Sequence, residues 1–246
     1  MRDLSTLPNL KVALVQTTLA WHDREANYAH FEVLLEQVGE VDLVILPEMF
    51  TTGFSMQSES LCEPENGPTY KWLKAQAKKH NAVITGSVII QAADGSHRNR
   101  LLWARPDGEI LHYDKRHLFR MADEHQHYQA GDARVIFEWR GWRILPLVCY
   151  DLRFPVWSRN HNDYDLALYV ANWPVSRRKV WDILLQARAL EKDRRPDCMA
   201  RVRGGGLSLL SITNFLIAGK RVLQVGKAHQ LAPKENRSVI AVFTYC

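Results

Sequence analysis

Read from its amino terminus, the chain alternates short, wholly apolar runs with longer amphipathic ones. KVALVQ (11–16) and DLVILP (42–47) have strand length and little polar interruption, the pattern of strands covered on both faces. Between them, over 24–38, Phe31, Leu34, Leu35 and Val38 recur near helical spacing, which predicts an amphipathic helix. Residues 69–79 predict a second helix, with Trp72, Leu73 and Ala77 on one side, and AVITGSVII (82–90) a third strand. Turn residues at Asp94-Gly95 and at Pro106–Gly108 separate this strand from NRLLWARP and then from EILHYD, a sign of hairpins. ARVIFEWRGWRILPLV contains another hairpin around Arg140-Gly141, DLALYVANWP (165–174) is a further buried strand, and 180–190 a helix. Strands alternating with helices, with hairpins between them, predict an α/β protein with mixed sheets. No repeat, low-complexity segment or Gly/Ser linker interrupts the 246 residues, so one domain over 1–246 is expected.

Chemistry in α/β folds collects where strands end, because loops there are free of the core's packing demands. DLVILP ends at Glu48, EILHYD at Lys115, ILPLV at Cys149, and DLALYVAN at Asn172-Trp173. Each residue has a bland explanation. A cysteine is often a small core hydrophobe, Glu48 suits a helix cap, and Lys115 lies in the charge patch Asp114-Lys115-Arg116. Their coincidence at three strand ends points further. A thiol, a carboxylate and an ammonium suit attack on an amide or nitrile carbon: Cys149 as nucleophile, Glu48 as general base, Lys115 with the Tyr150 N–H for the developing oxyanion. Glu124 is a second carboxylate able to orient Lys115. The Asp151–Pro155 stretch reads as a turn into a helix with Pro155 in its first turn. Such a helix start would bias the Cys149 thiol toward thiolate, with an alkylation midpoint below the ordinary thiol value of about 8.5.

Composition narrows the alternatives. The net charge of +5 is unevenly spread: 192–246 holds ten Lys/Arg against Asp193, Asp197 and Glu235, hence +7, which leaves −2 for the other 191 residues. No basic face interleaved with aromatics is visible, and nucleic acid is not an expected partner. No apolar run approaches the roughly 20 residues needed to cross a bilayer, and the first residues, MRDLSTLPNLKVALVQ, lack the apolar core of a secretion signal. Cys62, Cys149, Cys198 and Cys246 lie far apart without a CxxC pair, which fits a reducing cytoplasm rather than a disulfide framework. His117, His125 and His127 supply metal-ligand types but no HExxH or spaced Cys/His pair, so no metal is expected. A Cys–His dyad with one of ten histidines is the competing nucleophile arrangement. It leaves Glu48 and Lys115 without a role.

LPEMF, YDKRHLF and CYDLRFP resemble, in order, the three catalytic motifs of the carbon–nitrogen hydrolase (nitrilase) superfamily, and most of all its omega-amidase-like branch. The resemblance runs from about Leu10 to Glu191 and includes the ANWP…W…L…ARALE segment. It implies a four-layer α-β-β-α sandwich, and Cys149, Glu48, Lys115 and Glu124 as the catalytic set. It implies no metal or organic cofactor, assembly as a homodimer or larger oligomer, and a small ω-amide of a dicarboxylic acid such as 2-oxoglutaramate as substrate. Arg153 is the candidate for the distal carboxylate by a bidentate contact, with an ion pair to Asp151 or Asp165 as its structural alternative. Trp173 is the tryptophan expected at the pocket. True nitrile hydrolysis, or a catalytically impaired relative kept as a binding or assembly scaffold, are the other readings.

From Lys192 onward the pattern breaks. KDRRPDCMARVRGGGLSLLSITNFLIAGKRV contains neither the Gly-x-Ser segment nor the Asp-Pro turn that the resemblance leads one to expect. The charge bias changes sign at the same place. An altered reading frame or a divergent replacement would each give this. LSLLSITNFLIAG (207–219) and SVIAVFTY (238–245) are apolar enough for strands, to be added to the same sheets or exchanged with a partner chain, since an open sheet edge invites another strand.

Overall fold

The computed structural model describes residues 7–191 and, as backbone only, the strands at 199–200, 214–217, 222–225, 229–231 and 238–245. In chain order the elements are β1 (Leu10–Gln16), α1 (Arg24–Leu35), β2 (Leu43–Ile45), α2 (Ser58–Leu61), β3 (Glu63–Pro64), α3 (Pro68–His80), β4 (Val83–Gln91), β5 (His97–Ala104) and β6 (Ile110–Asp114). They continue with α4 (Glu124–His127), β7 (Phe137–Trp139), β8 (Trp142–Val148), β9 (Leu166–Val170), α5 (Arg178–Leu190), β10 (Met199–Ala200), β11 (Asn214–Ile217), β12 (Val222–Val225), β13 (His229–Leu231) and β14 (Ser238–Tyr245).

Two sheets result among the described residues. The larger runs β12-β14-β1-β2-β4-β5-β6, with β13 beside β14 and β3 beside β4. The smaller runs β10-β11-β9-β8-β7. β1, β2 and β4 are parallel, as crossovers through α1 and α3 require. β4, β5 and β6 form the antiparallel hairpins expected at Gly95 and Gly108. Arg140 (φ 49°) and Gly141 (φ 81°) turn β7 into β8, the left-handed pair that a two-residue hairpin demands.

The period of two along β1 explains the layering. Leu10, Val12 and Leu14 join Leu43, Ile45, Leu101 and Trp103 against Phe137, Ile144, Leu147 and Leu168 of the smaller sheet. Ala13 and Val15 face the other way, onto Phe31, Leu34 and Leu35 of α1 and Leu73 and Ala77 of α3. α5 brings Trp181 and Leu185 to the core around the smaller sheet. Helices, sheet, sheet and helix therefore stack in four layers. α1 begins at an Asp23 cap that accepts the Ala26 N–H at 3.0 Å and stops at Leu35, three residues before the predicted end. Val38 still packs into the same core from the turn that follows.

Two expectations about the chain after Lys192 fall partly within the described residues. Of 207–219, only 214–217 is described, as β11 paired antiparallel with β9. Residues 238–245 form β14, in register with the whole of β1 from Leu10↔Tyr245 to Gln16↔Val239. The rest of 192–246, including the Gly-rich stretch, lies outside the described residues.

Candidate active site

The loop after β2 is anchored on β4. Leu46 N–H donates to the Thr85 carbonyl (2.7 Å), Met49 N–H to Ser87 Oγ (2.9 Å) and Phe50 N–H to the Ser87 carbonyl (3.1 Å). Met49 takes a left-handed φ of 45°. Gly86 is required at the crossing, because a Cβ there would lie 2.9 Å from Leu46 Cβ and from Phe50 Cδ1. This loop turns the Glu48 carboxylate inward, where it is wholly buried.

β6 delivers Lys115 from the opposite side. Its N–H donates to the Asn99 carbonyl and its carbonyl accepts from Gly131 N–H, both at 2.9 Å. The charge patch around it is split by the fold. Asp114 pairs with Arg100, Arg116 donates to the Gly131 carbonyl, and Lys115 alone points into the interior. Lys115 Nζ donates to Glu48 Oε1 at 2.9 Å and to Glu124 Oε1 and Oε2 at 3.0 and 2.9 Å. Burial works against this ammonium, but Glu124 and Glu48 outweigh it and hold its pKa above the ordinary lysine value. Glu124 opens the short α4 and also accepts the Phe119 N–H.

Cys149 follows β8 in a left-handed conformation, φ 45°. Such a φ is uncommon for a residue with a side chain, and it ends the strand where the thiol meets a cavity. The expected α-helix is absent here. Cys149–Arg153 is a single 3-10 turn, and Pro155 lies beyond it. The cause is Asp151, whose carboxylate is drawn back onto the Val148 N–H (3.0 Å), the Tyr113 hydroxyl (2.8 Å) and His117. One short turn carries little dipole. The expected thiolate bias is accordingly reversed: burial first, and the Glu48 carboxylate second, push the Cys149 thiol well up, and Lys115 only partly offsets them. The thiol thus stands buried beside a carboxylate that disfavours its thiolate form.

The four side chains expected to act together thus meet in one buried cluster. The three residues expected to hold substrate, Tyr150, Arg153 and Trp173, line the cavity of about 290 Å³ onto which Cys149 opens, a size suited to a small ligand. Among the described residues no ion pair holds Arg153: Asp151 bonds His117 and Tyr113, and Asp165 pairs with Arg143. Its guanidinium instead lies over the Tyr150 ring (5.8 Å) and the Trp173 ring (6.0 Å). His117 belongs to the Asp151 network, His125 and His127 are exposed, and no metal-holding cluster occurs among the described residues.

Sequence reasoning missed several neighbours. Trp21, Phe54, Phe119 and Arg177 complete the cavity wall, and Arg177 lies 5.5 Å over the Phe119 ring. They come from separate loops without a shared pattern. The Asn172 N–H donates to Glu48 Oε2 at 2.9 Å, a backbone role no residue type announces. Asn99 was legible: on β5 it shares the inward face with Leu101 and Trp103, and a lone amide on an apolar face needs polar partners.

Known proteins place the chain in a family. Residues 11–195 match the family model for carbon-nitrogen hydrolase. The chain is 58% identical over 187 residues to omega-amidase YafV of Escherichia coli (strain K12), covering 75% of this chain and 72% of that one. It is 32% identical over 186 residues to 2-oxoglutaramate amidase of Bacillus subtilis (strain 168), covering 73% and 71%. Among solved structures, XC1258 of Xanthomonas campestris, a CN-hydrolase superfamily protein with an arsenic adduct in its active site, superimposes with a TM-score of 0.74 at 45% identity. That likeness covers 82% of this chain and 80% of that one. With a family match across most of its length and a Glu–Lys–Glu cluster beside a cavity-facing thiol, this chain belongs to the carbon–nitrogen hydrolase (nitrilase) superfamily, in its omega-amidase-like branch.

Proposed function

We propose that this protein is an amidase that hydrolyses the terminal C–N bond of a small ω-amide of a dicarboxylic acid, of the 2-oxoglutaramate type, through a cysteine acyl-enzyme. One observation carries the reading. A buried thiol beside a carboxylate, with a buried ammonium held between two carboxylates, opens on a cavity of small-ligand size.

Glu48 takes the Cys149 proton as sulfur attacks the amide carbon, so no free thiolate need accumulate. The oxygen of the tetrahedral intermediate develops its charge near the Lys115 ammonium and the Tyr150 N–H, which lies at the start of the single 3-10 turn after β8, where backbone donors lack acceptors within the turn. Glu48 returns the proton to the nitrogen, the C–N bond breaks, and ammonia leaves a thioester on Cys149. Glu48 then takes a proton from water, whose oxygen attacks the thioester carbon. Collapse releases the acid and restores the thiol. Glu124 keeps Lys115 in place. Tyr150, Arg153 and Trp173 form the acyl pocket, and Arg153 together with Arg177 offers guanidinium groups for the distal carboxylate.

We read the protein as cytoplasmic, as unpaired Cys62 and Cys149 suggest. Among the described residues no helix is long and apolar enough to cross a membrane. We also read it as a homodimer. Exposed Val156 and Ile183, near the small sheet's outer helix, favour a second copy of the chain, and light scattering at micromolar concentration checks this.

Ammonia release from 2-oxoglutaramate, from simple aliphatic amides and from the matching nitrile, with Cys149→Ala as control, tests the function. Turnover of the ω-amide that vanishes in the control is expected. Nitrile turnover without amide turnover would replace the proposal with a nitrilase, and no turnover of any of them with a scaffold.

A further inference from the structure

Asn99 sits inside the charged cluster without lining the cavity. Its Nδ2 lies 2.9 Å from Glu48 Oε1 and 3.1 Å from Glu124 Oε1. The same two oxygens accept from Lys115 Nζ, at 2.9 and 3.0 Å. The four groups therefore close a ring of carboxylate oxygen, ammonium, carboxylate oxygen and amide. Asn99 is 1% exposed, and its Oδ1 has no hydrogen-bond partner among the described residues. An amide oxygen turned toward two carboxylates would be repelled, so the acids themselves dictate which end of the amide faces them.

The ammonium alone does not balance the two acids. Two buried carboxylates face one ammonium, and like charges this close favour protonation of one of them. The other groups around the cluster are the Cys149 thiol from the loop after β8, and Tyr128 at the end of α4, whose hydroxyl donates to the Ser55 carbonyl. The backbone N–H groups of Asn172 and Phe119 complete it. Lys115 is the one cation in this set. The Asn99 amide supplies two further donor hydrogens, one for each acid.

We propose that Asn99 is a positioning residue whose amide holds Glu48 and Glu124 side by side, so that Glu48 is placed to take the Cys149 proton. This rests on Glu48 acting as the general base. Loss of the amide removes a donor that favours the charged form, so the carboxylates should hold protons to higher pH.

The experiment is the pH profile of kcat/KM for ammonia release from 2-oxoglutaramate in the wild type, Asn99→Ala, Asn99→Ser and Asn99→Asp, with folding checked by circular dichroism. Asn99→Ala should move the acid limb up by about one pH unit. Asn99→Ser, which keeps one donor, should move it less, and Asn99→Asp, nearly the same size but adding a third carboxylate, should move it more. KM should change less than twofold, because Asn99 does not touch the cavity. An acid limb that stays in place in every folded variant, whether activity is lost evenly or retained, would overturn the proposal. Should Asn99→Ala fail to fold, the serine and aspartate variants decide in the same way. Glu48→Gln separates the two ideas: an acid limb that persists there removes Glu48 as the base, whereas a limb lost there yet unmoved at position 99 removes only the role of Asn99.

Discussion

Asp151 Oδ1 accepts two hydrogen bonds from His117, one from its backbone N–H at 2.9 Å and one from its ring Nδ1 at 2.8 Å. This single oxygen joins the segment that carries Lys115 to the turn that carries Cys149. The His117 ring is stacked on Phe154 at 3.6 Å, and the other Asp151 oxygen holds Tyr113 and Val148. The ammonium and the thiol are therefore placed relative to each other by a buried carboxylate that touches neither. Asp151→Ala would strand several buried donors, each costing about 1–3 kcal/mol. A destabilisation of about 3 kcal/mol or more is expected, read as a drop in the thermal midpoint, with activity reduced even well below that midpoint.

The thiol's protonation state gives a pH prediction with a definite sign. Burial and then Glu48 raise the Cys149 pKa. The rate of iodoacetamide alkylation of Cys149 should therefore rise with a midpoint above the ordinary thiol value of about 8.5. Glu48→Gln removes the negative neighbour, so its midpoint should move down toward that value while amide hydrolysis falls by about 100-fold or more. A wild-type midpoint below about 8.5 would contradict the upward shift that burial and Glu48 impose.

Lys115 stands as the counter-charge to two buried carboxylates. Lys115→Met leaves both uncompensated, and removal of one partner from a buried ionic group costs about 3–5 kcal/mol. We expect a lower denaturation midpoint together with loss of ammonia release. Lys115→Arg should not rescue, because a planar fork cannot occupy the compact site of an ammonium.

Gly131 tests the placement of Lys115 from a distance. A Cβ at this position would come within 2.3 Å of the Asp114 carbonyl oxygen and 2.8 Å of Asp114 Cβ. Gly131→Ala must push the end of β6 aside, which overpacks the site by about 1–3 kcal/mol. It should lower kcat more than it raises KM in steady-state assays, since the ammonium moves while the cavity wall stays.

Charge selectivity should be separable from chemistry. Arg153→Met and Arg177→Met should each raise KM for an ω-amide bearing a free carboxylate by about tenfold to 100-fold, the loss of one charge-assisted contact of about 1.5–3 kcal/mol. The neutral amide of the same length should be hardly affected. Equal losses on both substrates would deny the guanidinium groups a role in recognising the acid.

How far the chain could be read depends on which interactions are local. The period of two along β1, the helical stripe of Phe31, Leu34 and Leu35, and the turn residues at Gly95, Gly108 and Gly141 describe contacts between near neighbours in sequence, and they specify strands, helices and hairpins directly. Strand ends marked Glu48, Lys115 and Cys149 because each follows directly on a strand-length run. The expectation failed after Cys149. A helix was inferred from residues 151–155 alone, whereas Asp151 answers to His117 and Tyr113, more than thirty positions away.

The sequence by itself determined the order of strands and helices, the α/β class that follows from it, and the three motif residues at strand ends, whose resemblance to the family implied the four layers, since each is written in a contiguous stretch of side chains. Only the tertiary structure decided that Glu48, Lys115, Glu124 and Asn99 share one buried ring, that burial and Glu48 raise the Cys149 thiol pKa, and that Arg153 lines the cavity. Those properties are sums over groups brought together from distant parts of the chain. Charge and burial act through space, so they take values only once the sheets have closed.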